Sequence, residues 1–588
     1  FLIYSFVVFI YLLNALCFVP IGHLIARLMK PVNGLKAYSL NLIGSLLGII
    51  FFLILSFLWF PPIIWILLSY LFFIIINSKN KNKNLFSLIC VILLITLLSS
   101  FLKDKKQTIY SPYQNISVQH LTTPLNPVII QTSHLFYQAL LNLSDNLEYE
   151  IEDRLEGNIF GHHVDVQHEA EFYNLPYIIM PSIPKKIMIV GSGAGNDVAA
   201  ANRFNIKEID AVEIDPVIAD LGKKYHPEQP YSKKSVKLFI DDARSFIKSS
   251  KTKYEMIVYG LLDSQTNLSS KGGIRLDSYV YTIEAFKEAK NILANDGVMY
   301  LSFFVQAPEL GFKLYKMLEE VFGHEPLVLK SDVNDRYIFV AKNNVSSKLE
   351  LSNLVYFKKT EIFKKNSTLK VDLSTDDWPF IYMPLKVYPL TYFFVVIILI
   401  TSSIIFLNRV IKIKKSDFSF ICFFLGAGFM LVETKCITEM AKIYGSTWMV
   451  TSIVIAVVLM MAFIANLLVI KKIRLNVLHV YSLLILSLIL GYFISTVGFN
   501  LINQKAFNLF FPIILTLPIL FSGIAFSKEL SKLNSASQAI SANILGAMLG
   551  GFLEYNSMYF GFSSLYFLAG LLYLLAFLFY FIKYKTIY

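Results

Sequence analysis

Residues 187–197 read IMIVGSGAGND, an apolar run typical of a buried strand that is followed at once by three glycines within five residues. A helix-compatible run, 198–204, comes next, and a second apolar strand, 208–212, ends at Glu213. Glycine lacks a Cβ, so the backbone can turn tightly there and approach a ligand closely. An acid that ends the next strand lies where such folds hydrogen-bond ribose hydroxyls. This order predicts a nucleoside-binding α/β unit.

The glycine spacing leaves three interpretations open: a dinucleotide site, an S-adenosylmethionine-type site, or a turn with a purely structural role. The pyrophosphate fingerprint places its third glycine three residues after the second. Here Gly195 follows Gly193 by only two residues. The spacing therefore favours a sulfonium nucleoside over a dinucleotide.

The composition predicts a membrane protein. Of the 588 residues, 55% are hydrophobic and 16% are charged, which is too apolar for a soluble chain. A net charge of +12 would favour nucleic acid in a soluble protein. Here, however, the lysines cluster between apolar runs, where they set membrane orientation. We therefore expect a lipid bilayer and no nucleic acid as partner. All four cysteines lie in or at the ends of apolar stretches, so no disulfide framework is predicted for the soluble part.

The apolar stretches predict about four membrane spans before the soluble part and about seven after it. The predicted fold class is a polytopic α-helical membrane protein with an inserted α/β Rossmann-like domain. Four domains are expected: a membrane bundle at 1–102, a small β-rich part at 103–182, the nucleoside-binding domain at 183–383, and a second membrane bundle at 384–588. Because the chain starts inside an apolar run, we expect further residues before Phe1. The predicted spans are Phe1–Ile21, Ala37–Phe60, Ile63–Asn77, Leu85–Leu102, Tyr388–Phe406, Phe418–Val432, Thr447–Val469, Val477–Val497, Leu509–Phe526, Ala536–Phe552 and Leu565–Ile582.

Loop charges give the predicted orientation in a bacterial inner membrane. Basic clusters at 27–36, 79–83, 409–415 and 471–474 fall on one face when the spans are counted, and basic loops face the cytoplasm. This count puts the soluble domain on the non-cytoplasmic face. Sulfonium nucleosides are made in the cytosol, which argues for the opposite face, so both placements stay open.

Two features of the membrane halves point toward a transporter-like origin. Residues 41–48 read NLIGSLLG and residues 543–550 read NILGAMLG, and repeated halves are typical of transporter bundles. Ordinary packing of small residues is the alternative. Glu433 and Lys435, with Glu439 and Lys442, lie near the predicted end of the sixth span. They are expected either at the membrane interface or in a polar site within the bundle.

Further acids follow later strands of the soluble domain. The strand at 236–240 is followed by Asp241, Asp242 and Ala243, and an acid followed by a small residue suits an adenine amino group. The strand at 254–259 leads to Gly260 and Asp263. Because ligands in open α/β sheets bind outside the carboxyl ends of the strands, Asp263 is predicted near the reacting centre. A helix or turn cap is its alternative role. The histidines at 161–169 match no zinc spacing, so no metal is expected.

These motifs, with Tyr113-Gln114 upstream, resemble the spermidine synthase (polyamine aminopropyltransferase) family. The apolar halves, with TDDWP at 375–379, resemble bacterial proteins that fuse a major-facilitator-like bundle to such a domain. The resemblance implies a class I methyltransferase fold and a donor that is S-adenosylmethionine or its decarboxylated form. It also implies the candidate site. In that site Gly191, Gly193, Gly195 and Asp197 surround the amino-acid or propylamine part of the donor, Glu213 holds the ribose, Asp242 and Ala243 hold the adenine, Gln114 closes over the nucleoside, Asp263 is catalytic, and Arg275, Asp277 and Tyr281 shape the acceptor pocket.

The sequence departs from the family pattern at two places. The family's catalytic loop has two aspartates separated by two residues, whereas here the first position is Gly260 and only Asp263 remains. The His and Glu of the family's substrate motif are not reproduced near residues 171–175. We therefore expect a membrane-embedded transferase that moves an aminopropyl, methyl or other alkyl group to an amine or a membrane-associated nucleophile, with a homodimer as a candidate assembly. The alternative is a transporter or sensor whose nucleoside-binding domain is regulatory.

Overall fold

The computed structural model describes residues 2–76, 88, 92, 107–120, 128–132, 135–144, 166–262, 278–365, 368–406, 418–473, 475–497, 504–533 and 536–585. The chain forms two compact units. The helical unit comprises Phe1–Phe51, Leu385–Ile443 and Met449–Tyr588, and the sheet unit comprises Phe52–Pro384 and Tyr444–Trp448. The four domain ranges expected from the sequence stay predictions.

The helices and strands of the described residues follow one numbering in chain order. The helices are α1 (Leu2–Met29), α2 (Gly34–Phe57), α3 (Pro62–Ile76), α4 (Val166–Ile178), α5 (Asn196–Arg203), α6 (Pro216–Tyr225), α7 (Ala243–Ser249), α8 (Ile283–Ile292), α9 (Pro308–Phe322), α10 (Ile362–Lys365), α11 (Leu390–Phe406), α12 (Phe420–Tyr444), α13 (Trp448–Ile470), α14 (Val477–Val497), α15 (Gln504–Leu530), α16 (Ala536–Leu553), α17 (Ser557–Phe560) and α18 (Ser564–Lys585). The strands are β1 (Gln107–Tyr110), β2 (Asn115–His120), β3 (Val128–Thr132), β4 (Leu135–Leu140), β5 (Lys186–Val190), β6 (Glu208–Glu213), β7 (Val236–Ile240), β8 (Tyr254–Tyr259), β9 (Leu293–Phe304), β10 (Leu327–Ser331), β11 (Arg336–Lys342) and β12 (Phe357–Lys359).

The larger sheet has eight strands in the order β12-β10-β11-β9-β8-β5-β6-β7. The five strands from β9 to β7 run parallel, and β11, β10 and β12 add antiparallel neighbours at the other side. Two hydrophobic clusters pack against its strands, as a sheet covered by helices on both faces requires. This arrangement confirms the predicted α/β Rossmann-like fold.

The order of the parallel strands fixes where a ligand can bind. After β5 the chain continues to β6 on one side, whereas β8 lies on the other side of β5. The edge beyond β5 and β8 is therefore a topological switch point, where open α/β sheets place their ligands. The glycine loop leaves β5 at this edge, and Gly260 leaves β8.

A four-stranded antiparallel sheet, β1-β2-β3-β4, accounts for the predicted β-rich part. Its apolar side packs on Val217, Ile218 and Leu221 of α6 and on Ala194 of the glycine loop. Asn196 ties the same loop to β4 and the residue after it, since its side-chain amide donates to Ala139 O at 2.9 Å and accepts from Leu141 N at 3.2 Å. The small sheet is thereby positioned to supply side chains to the glycine loop.

The helical unit consists of apolar helices. Eight of the described helices are long and apolar enough to cross a membrane, and Pro62–Phe72 and Tyr392–Ile405 form shorter apolar helices. These helices are consistent with a membrane protein. Of the predicted spans, the one at Leu85–Leu102 lies outside the described residues apart from residues 88 and 92.

Two predicted span ends clearly fall short of the helices. The first span was predicted to end at Ile21, but α1 continues to Met29. The sixth span was predicted to end at Val432, but α12 continues without a break to Tyr444. The charged residues after Val432 do not stop the helix because they pair with each other: Lys435 Nζ lies 2.5 Å from Glu439 Oε1, and Lys442 Nζ lies 2.9 Å from the same atom. Lys435 and Glu439 are buried. They therefore form an internal ion-pair cluster within the helical unit, and its position relative to a membrane interface stays a prediction.

Candidate functional site

The glycine loop adopts a backbone that side chains disfavour. Gly191, Gly193 and Gly195 have φ angles of 66°, 56° and 109°, in the left-handed region that glycine enters at little cost. A Cβ on Gly193 would also lie 2.8 Å from Gln138 Oε1. Backbone N–H groups of the loop are engaged within the protein, since Ser192 N donates to Val212 O at 2.9 Å and Gly195 N donates to Ser192 O at 3.0 Å.

Glu213 ends β6 directly beside this loop. Its Oε2 accepts from Gly193 N at 2.8 Å, and its Oε1 accepts from Asp215 N at 2.9 Å. Burial raises the pKa of Glu213 to about 7, although the two backbone donors act in the opposite direction. The carboxylate therefore connects the glycine loop to the start of α6, the position at which the sequence predicts ribose binding.

Gln114 reaches the same edge from the turn between β1 and β2. Its Nε2 donates to Asp215 Oδ2 at 3.3 Å, and Ser111 Oγ donates to the same oxygen at 2.7 Å. Asp215 also caps α6, accepting from Val217 N at 2.9 Å, and burial raises the pKa of its carboxyl. The structure thus brings Gln114 and Glu213 together through Asp215, a residue for which no role was predicted.

Asp242 caps α7, which begins at Ala243. Its Oδ1 accepts from Ser245 N at 2.9 Å, and its Oδ2 accepts from Ser446 N at 3.2 Å. Burial raises the pKa of this carboxyl. Gly445, with a φ of 87°, is packed so tightly that a Cβ there would lie 2.4 Å from Asp242 Cβ. A ligand amine at Asp242 would share its carboxylate with these backbone donors.

Asp197 lies in the first turn of α5 and is half-buried. An ideal Cβ built on Gly260 would be 3.1 Å from Asp197 Oδ2 and 3.5 Å from Gly191 O. Burial raises the pKa of Asp197 to about 7, with its own backbone N–H and Arg203 acting in the opposite direction. The carboxylate therefore occupies the space beside the position where the catalytic loop departs from the family pattern.

Two polar side chains at the glycine loop were not predicted. Gln138 Oε1 accepts from Ala194 N at 2.9 Å. The Tyr231 hydroxyl donates to Gly193 O at 2.6 Å and lies 3.0 Å from Ser192 Oγ. Neither belongs to a motif, so only their three-dimensional placement identifies them.

The predicted acceptor residues are placed only in part. Asp263, Arg275 and Asp277 lie outside the described residues, so their roles stay predictions. Tyr281 is fully buried in a hydrophobic cluster of the larger sheet, with its ring centroid 5.2 Å from that of Phe303. The structure therefore places Tyr281 in the core, and its predicted part in an acceptor pocket stays untested.

The two sequence departures have different local settings. Asp197 borders the space at Gly260, as described above. The Glu171 carboxylate, in contrast, is engaged in hydrogen bonds within the protein. The Glu171 carboxylate accepts from the backbone N–H groups of Val355, Tyr356 and Phe357 at 2.9–3.2 Å. It thus anchors the segment that leads into β12.

Among the residues described, no group of three or more His, Cys, Asp or Glu side chains could hold a metal ion. Of the histidine-rich stretch at 161–169, residues 161–165 lie outside the described part, and residues 166–169 begin α4 with His168 and Glu169 buried. His168 contacts Ser331 Oγ at 2.8 Å, and Glu169 pairs with Arg336 at 2.6 Å.

Comparison with known proteins agrees with this geometry over part of the chain. Residues 168–320 match the family model of the spermine/spermidine synthase domain. A polyamine aminopropyltransferase of Sulfurisphaera tokodaii is 32% identical over 131 residues, which are 22% of this chain and 41% of that protein. A polyamine aminopropyltransferase of Buchnera aphidicola is 32% identical over 156 residues, which are 25% of this chain and 51% of that protein.

Among solved structures, spermidine synthase from Thermotoga maritima is similar with a TM-score of 0.30 and 15% identity, covering 41% of this chain and 73% of the other. The chain spans about half the length or less of these two curated relatives. The likeness of the helical unit to major-facilitator proteins stays a prediction. Residues 168–320 are thus similar to the spermine/spermidine synthase domain, and this similarity supports a transferase over this part of the chain.

Proposed function

We propose that the sheet unit binds a sulfonium nucleoside, either decarboxylated S-adenosylmethionine or S-adenosylmethionine, and transfers its aminopropyl or other alkyl group to an amine. The observation that carries the proposal is the hydrogen bond from Gly193 N to Glu213 Oε2 at the topological switch point. This bond joins the glycine loop to the acid that is proposed to bind the ribose. The family match at 168–320 is the ground for assigning aminopropyl transfer to this pair of elements.

Charge supports a cationic donor. Asp197, Glu213, Asp215 and Asp242 all lie near the carboxyl edge of the sheet, and burial raises the pKa of each. A nearby cation would favour their ionised forms. A sulfonium ligand would therefore bind more tightly than the neutral thioether that remains after transfer. This difference favours product release.

Departure of the leaving group needs little catalytic help from the protein. The sulfonium leaves as a neutral thioether, so alignment of the nucleophile with the reacting carbon supplies much of the rate. Gln114 would close over the nucleoside, and Asp242 with Ala243 would receive the adenine. The residues proposed to bind the acceptor are Asp263, Arg275, Asp277 and Tyr281. A small amine or a membrane-associated amine fits this role, and the apolar helices make the bilayer the expected surroundings.

Calorimetric titration of the purified full chain in detergent tests the donor. S-adenosylmethionine, its decarboxylated form and methylthioadenosine serve as ligands. Tighter binding of the decarboxylated form, followed by mass-spectrometric detection of aminopropylated putrescine, would support aminopropyl transfer. A preference for S-adenosylmethionine would point to a methyl or other alkyl transferase. Absence of binding by folded protein would contradict the proposal.

Glu213→Gln tests the predicted ribose contact in the same assay. It removes the charge and keeps the size, so the donor Kd should rise by roughly 10–100-fold, as for a lost charged hydrogen bond. The matched control is Asp220→Asn, which changes a carboxylate of α6 that is 57% exposed and should leave the Kd unchanged. Equal affinities for the two variants would remove Glu213 from the site.

A second candidate function is transport, favoured by the buried Lys435–Glu439 pair of α12. Ser495 Oγ also donates to Glu439 Oε1 at 2.6 Å. Buried ionisable residues in a bundle often mark a solute pathway. Loss of substrate uptake into vesicles in Glu439→Gln, with donor binding retained, would favour transport. Equal uptake by the variant and the unaltered protein would count against it.

A further inference from the structure

Asp197 is placed where the two central strands of the sheet end. It follows the glycine loop from β5, and its Oδ2 lies 3.1 Å from the position that a Cβ of Gly260 would take after β8. Strands β5 and β8 are parallel neighbours, with Val190 opposite Tyr259. The carboxylate therefore stands inside the crevice formed at the switch point, where the reacting groups of a bound ligand are expected.

The Asp197 carboxylate also differs in its bonding from three other acids of this edge, Glu213, Asp215 and Asp242. Glu213, Asp215 and Asp242 each accept hydrogen bonds from at least two other residues. Within the described part of the chain, Asp197 has no salt bridge or side-chain hydrogen bond, and its carboxylate receives only its own backbone N–H. A carboxylate that is half-buried and not engaged elsewhere remains available to a ligand.

We infer that Asp197 is the proton acceptor of the transfer and takes the place of the aspartate that is missing at Gly260. This inference rests on the proposed function, because it assigns the proton transfer of that reaction. It extends the role predicted for Asp197, which was contact with the donor's amino-acid or propylamine part.

The step balances in atoms and electrons. The lone pair of the acceptor amine forms a bond to the carbon next to the sulfonium, and the carbon–sulfur bond breaks with its electron pair going to sulfur. The acceptor is an ammonium near neutral pH and gives one proton to Asp197 in this step, which frees the lone pair; the carboxylate becomes a carboxylic acid and later releases the proton to solvent. The products are a neutral thioether and an alkylated ammonium. No oxidant, reductant or metal takes part.

The surroundings of Asp197 suit this role near neutral pH. Burial holds its pKa at about 7, where a general base works best. The charged and titratable groups that interact with it are Arg203 of its own helix and the four phenols of Tyr173, Tyr177, Tyr231 and Tyr300. Burial raises the pKa of all four phenols well above the usual range, so they stay neutral while Asp197 titrates.

Single-turnover kinetics of the full chain test the inference, with decarboxylated S-adenosylmethionine at saturation and putrescine as the amine. Saturation removes the effect of Glu213, whose pKa is also raised to about 7, on donor binding. Asp197→Asn should lower the rate by roughly 10²–10⁴-fold, as for loss of a general base, and abolish the rise in rate through neutral pH. Its donor Kd should also rise, because the carboxylate is proposed to contact the cationic donor, so the rates are compared at a donor concentration that saturates each variant.

A carboxylate swap separates catalysis from structure. Asp197→Ala clears the space beside Gly260, whose φ is not among the positive values of the described glycines. Asp197→Ala/Gly260→Asp should then recover at least about tenfold of the rate lost in Asp197→Ala. A purely structural role would not be rescued in this way. The swap also provides the test should Asp197→Asn fold poorly.

The outcomes distinguish the two proposals. No transfer by the unaltered protein with either sulfonium donor would overturn the proposed function, and this inference with it. Transfer by the unaltered protein, together with an undiminished rate and an unchanged pH profile in Asp197→Asn, would overturn this inference alone. A slow Asp197→Ala that the swap fails to rescue would also count against a proton-acceptor role.

Discussion

At the scale of single residues, the site concentrates carboxylates that a protein interior tolerates poorly in their charged form. Desolvation is the largest cause of the raised pKa of both Asp197 and Glu213. Such a cost persists in a folded protein when a function requires it. A bound sulfonium cation would offset it, so ligand binding and protonation should be linked at this edge of the sheet.

Asp197 should therefore destabilise the folded protein as the pH rises. Its folded-state pKa of about 7 lies above the unfolded value of about 4, so the folded state binds the extra proton between these values. Stability consequently falls as the pH increases through this window. We expect Asp197→Asn to melt at a higher temperature than the unaltered protein at about pH 8, and the difference to shrink at about pH 5. A constant difference in thermal unfolding across this range would contradict the raised pKa.

From the sequence, the role of a residue can be predicted only where the residue belongs to a known motif. The glycines, Glu213 and Gln114 belong to motifs, and the structure brings them to one edge. Gln138 lies on a strand of a separate sheet, and its contact with Ala194 depends on how that sheet packs against α6. No local pattern encodes such a contact, and the same holds for Tyr231.

At the scale of elements, α6 is held unusually close to the glycine loop. An added Cβ on Gly222 would lie 2.3 Å from Ala194 O and 2.9 Å from Ala194 Cα. Any side chain at 222 would therefore push the helix away from the loop that is proposed to hold the donor. Glycine in the interior of a helix normally carries a propensity cost of about 1 kcal/mol, and the close approach explains why it is retained.

Gly222→Ala should destabilise the protein although alanine is the better helix former. Overpacking of a tight interface costs about 1–3 kcal/mol, which exceeds the gain in propensity. Thermal unfolding and the donor Kd should both worsen, because the displaced backbone belongs to the glycine loop. Lys223→Ala, on the same helix with a side chain that is 52% exposed, is the matched control. Improved stability in Gly222→Ala would show that α6 can move freely.

A buried ion cluster joins α7 to the TDDWP segment. Arg244 donates to both oxygens of Asp376 at 2.5 and 2.6 Å, and its Nε lies 3.1 Å from Glu288 Oε2. The two acids raise the pKa of the Arg244 guanidinium, although burial acts in the opposite direction. From the sequence this segment shows only a resemblance, whereas in the structure its Asp376 pairs with Arg244.

Asp376→Asn should cost about 2 kcal/mol of unfolding free energy, since it removes charged hydrogen bonds from a buried arginine. Glu288 still pairs with Arg244, which keeps the loss below that of a fully uncompensated charge. Denaturant unfolding of the full chain measures the change. Glu325→Gln, which alters an exposed pair with Lys364, is the control and should change stability by less than about 1 kcal/mol. Equal effects would indicate that the cluster is no stronger than a surface pair.

Element types were easier to predict than their ends. The parallel strands follow apolar runs bounded by glycine and acids, and the predicted limits agree with the structure to within one residue for β5, β6, β7 and β8. The end of α12 was missed because hydropathy treats charged residues as a stop, whereas Lys435 and Glu439 neutralise each other one helical turn apart.

At the scale of the whole molecule, the two copies of the repeated motif have different surroundings. In the late copy, a Cβ on Gly546 would lie 1.8 Å from Phe423 O, and Asn543 Nδ2 donates to Cys422 O at 3.2 Å. In the early copy, no described residue comes within 4 Å of the Cβ position of Gly44 or Gly48. Among the described residues, the identical spacing therefore supports close helix packing in the late copy only.

The repeat supplies its own matched pair of variants. Gly546→Ala should reduce the yield of monodisperse protein in detergent, because the backbone of α16 could no longer approach α12. Gly44→Ala, the equivalent change in α2, should be tolerated. Size-exclusion profiles and thermal unfolding of the two variants measure the difference. Equal losses in both would show that the early copy is also packed.

The general architecture could be predicted from composition and periodicity, whereas the different packing of the two motif copies could not. Long apolar runs and a glycine-rich turn are local signals, and they separate the apolar helices from the α/β part of the chain. Which copy of a repeat packs against a neighbour depends on contacts between distant segments. Such contacts leave no trace in a single sequence.

The position of Asp197 on α5 has a consequence for how the protein could diversify. With the proton acceptor two residues after Gly195, donor binding and base are supplied by one continuous stretch of chain. The loop that begins at Gly260 then does not have to supply the base, so its sequence can change without loss of the reaction. Descendants of such a protein could exchange one acceptor for another by altering this loop alone.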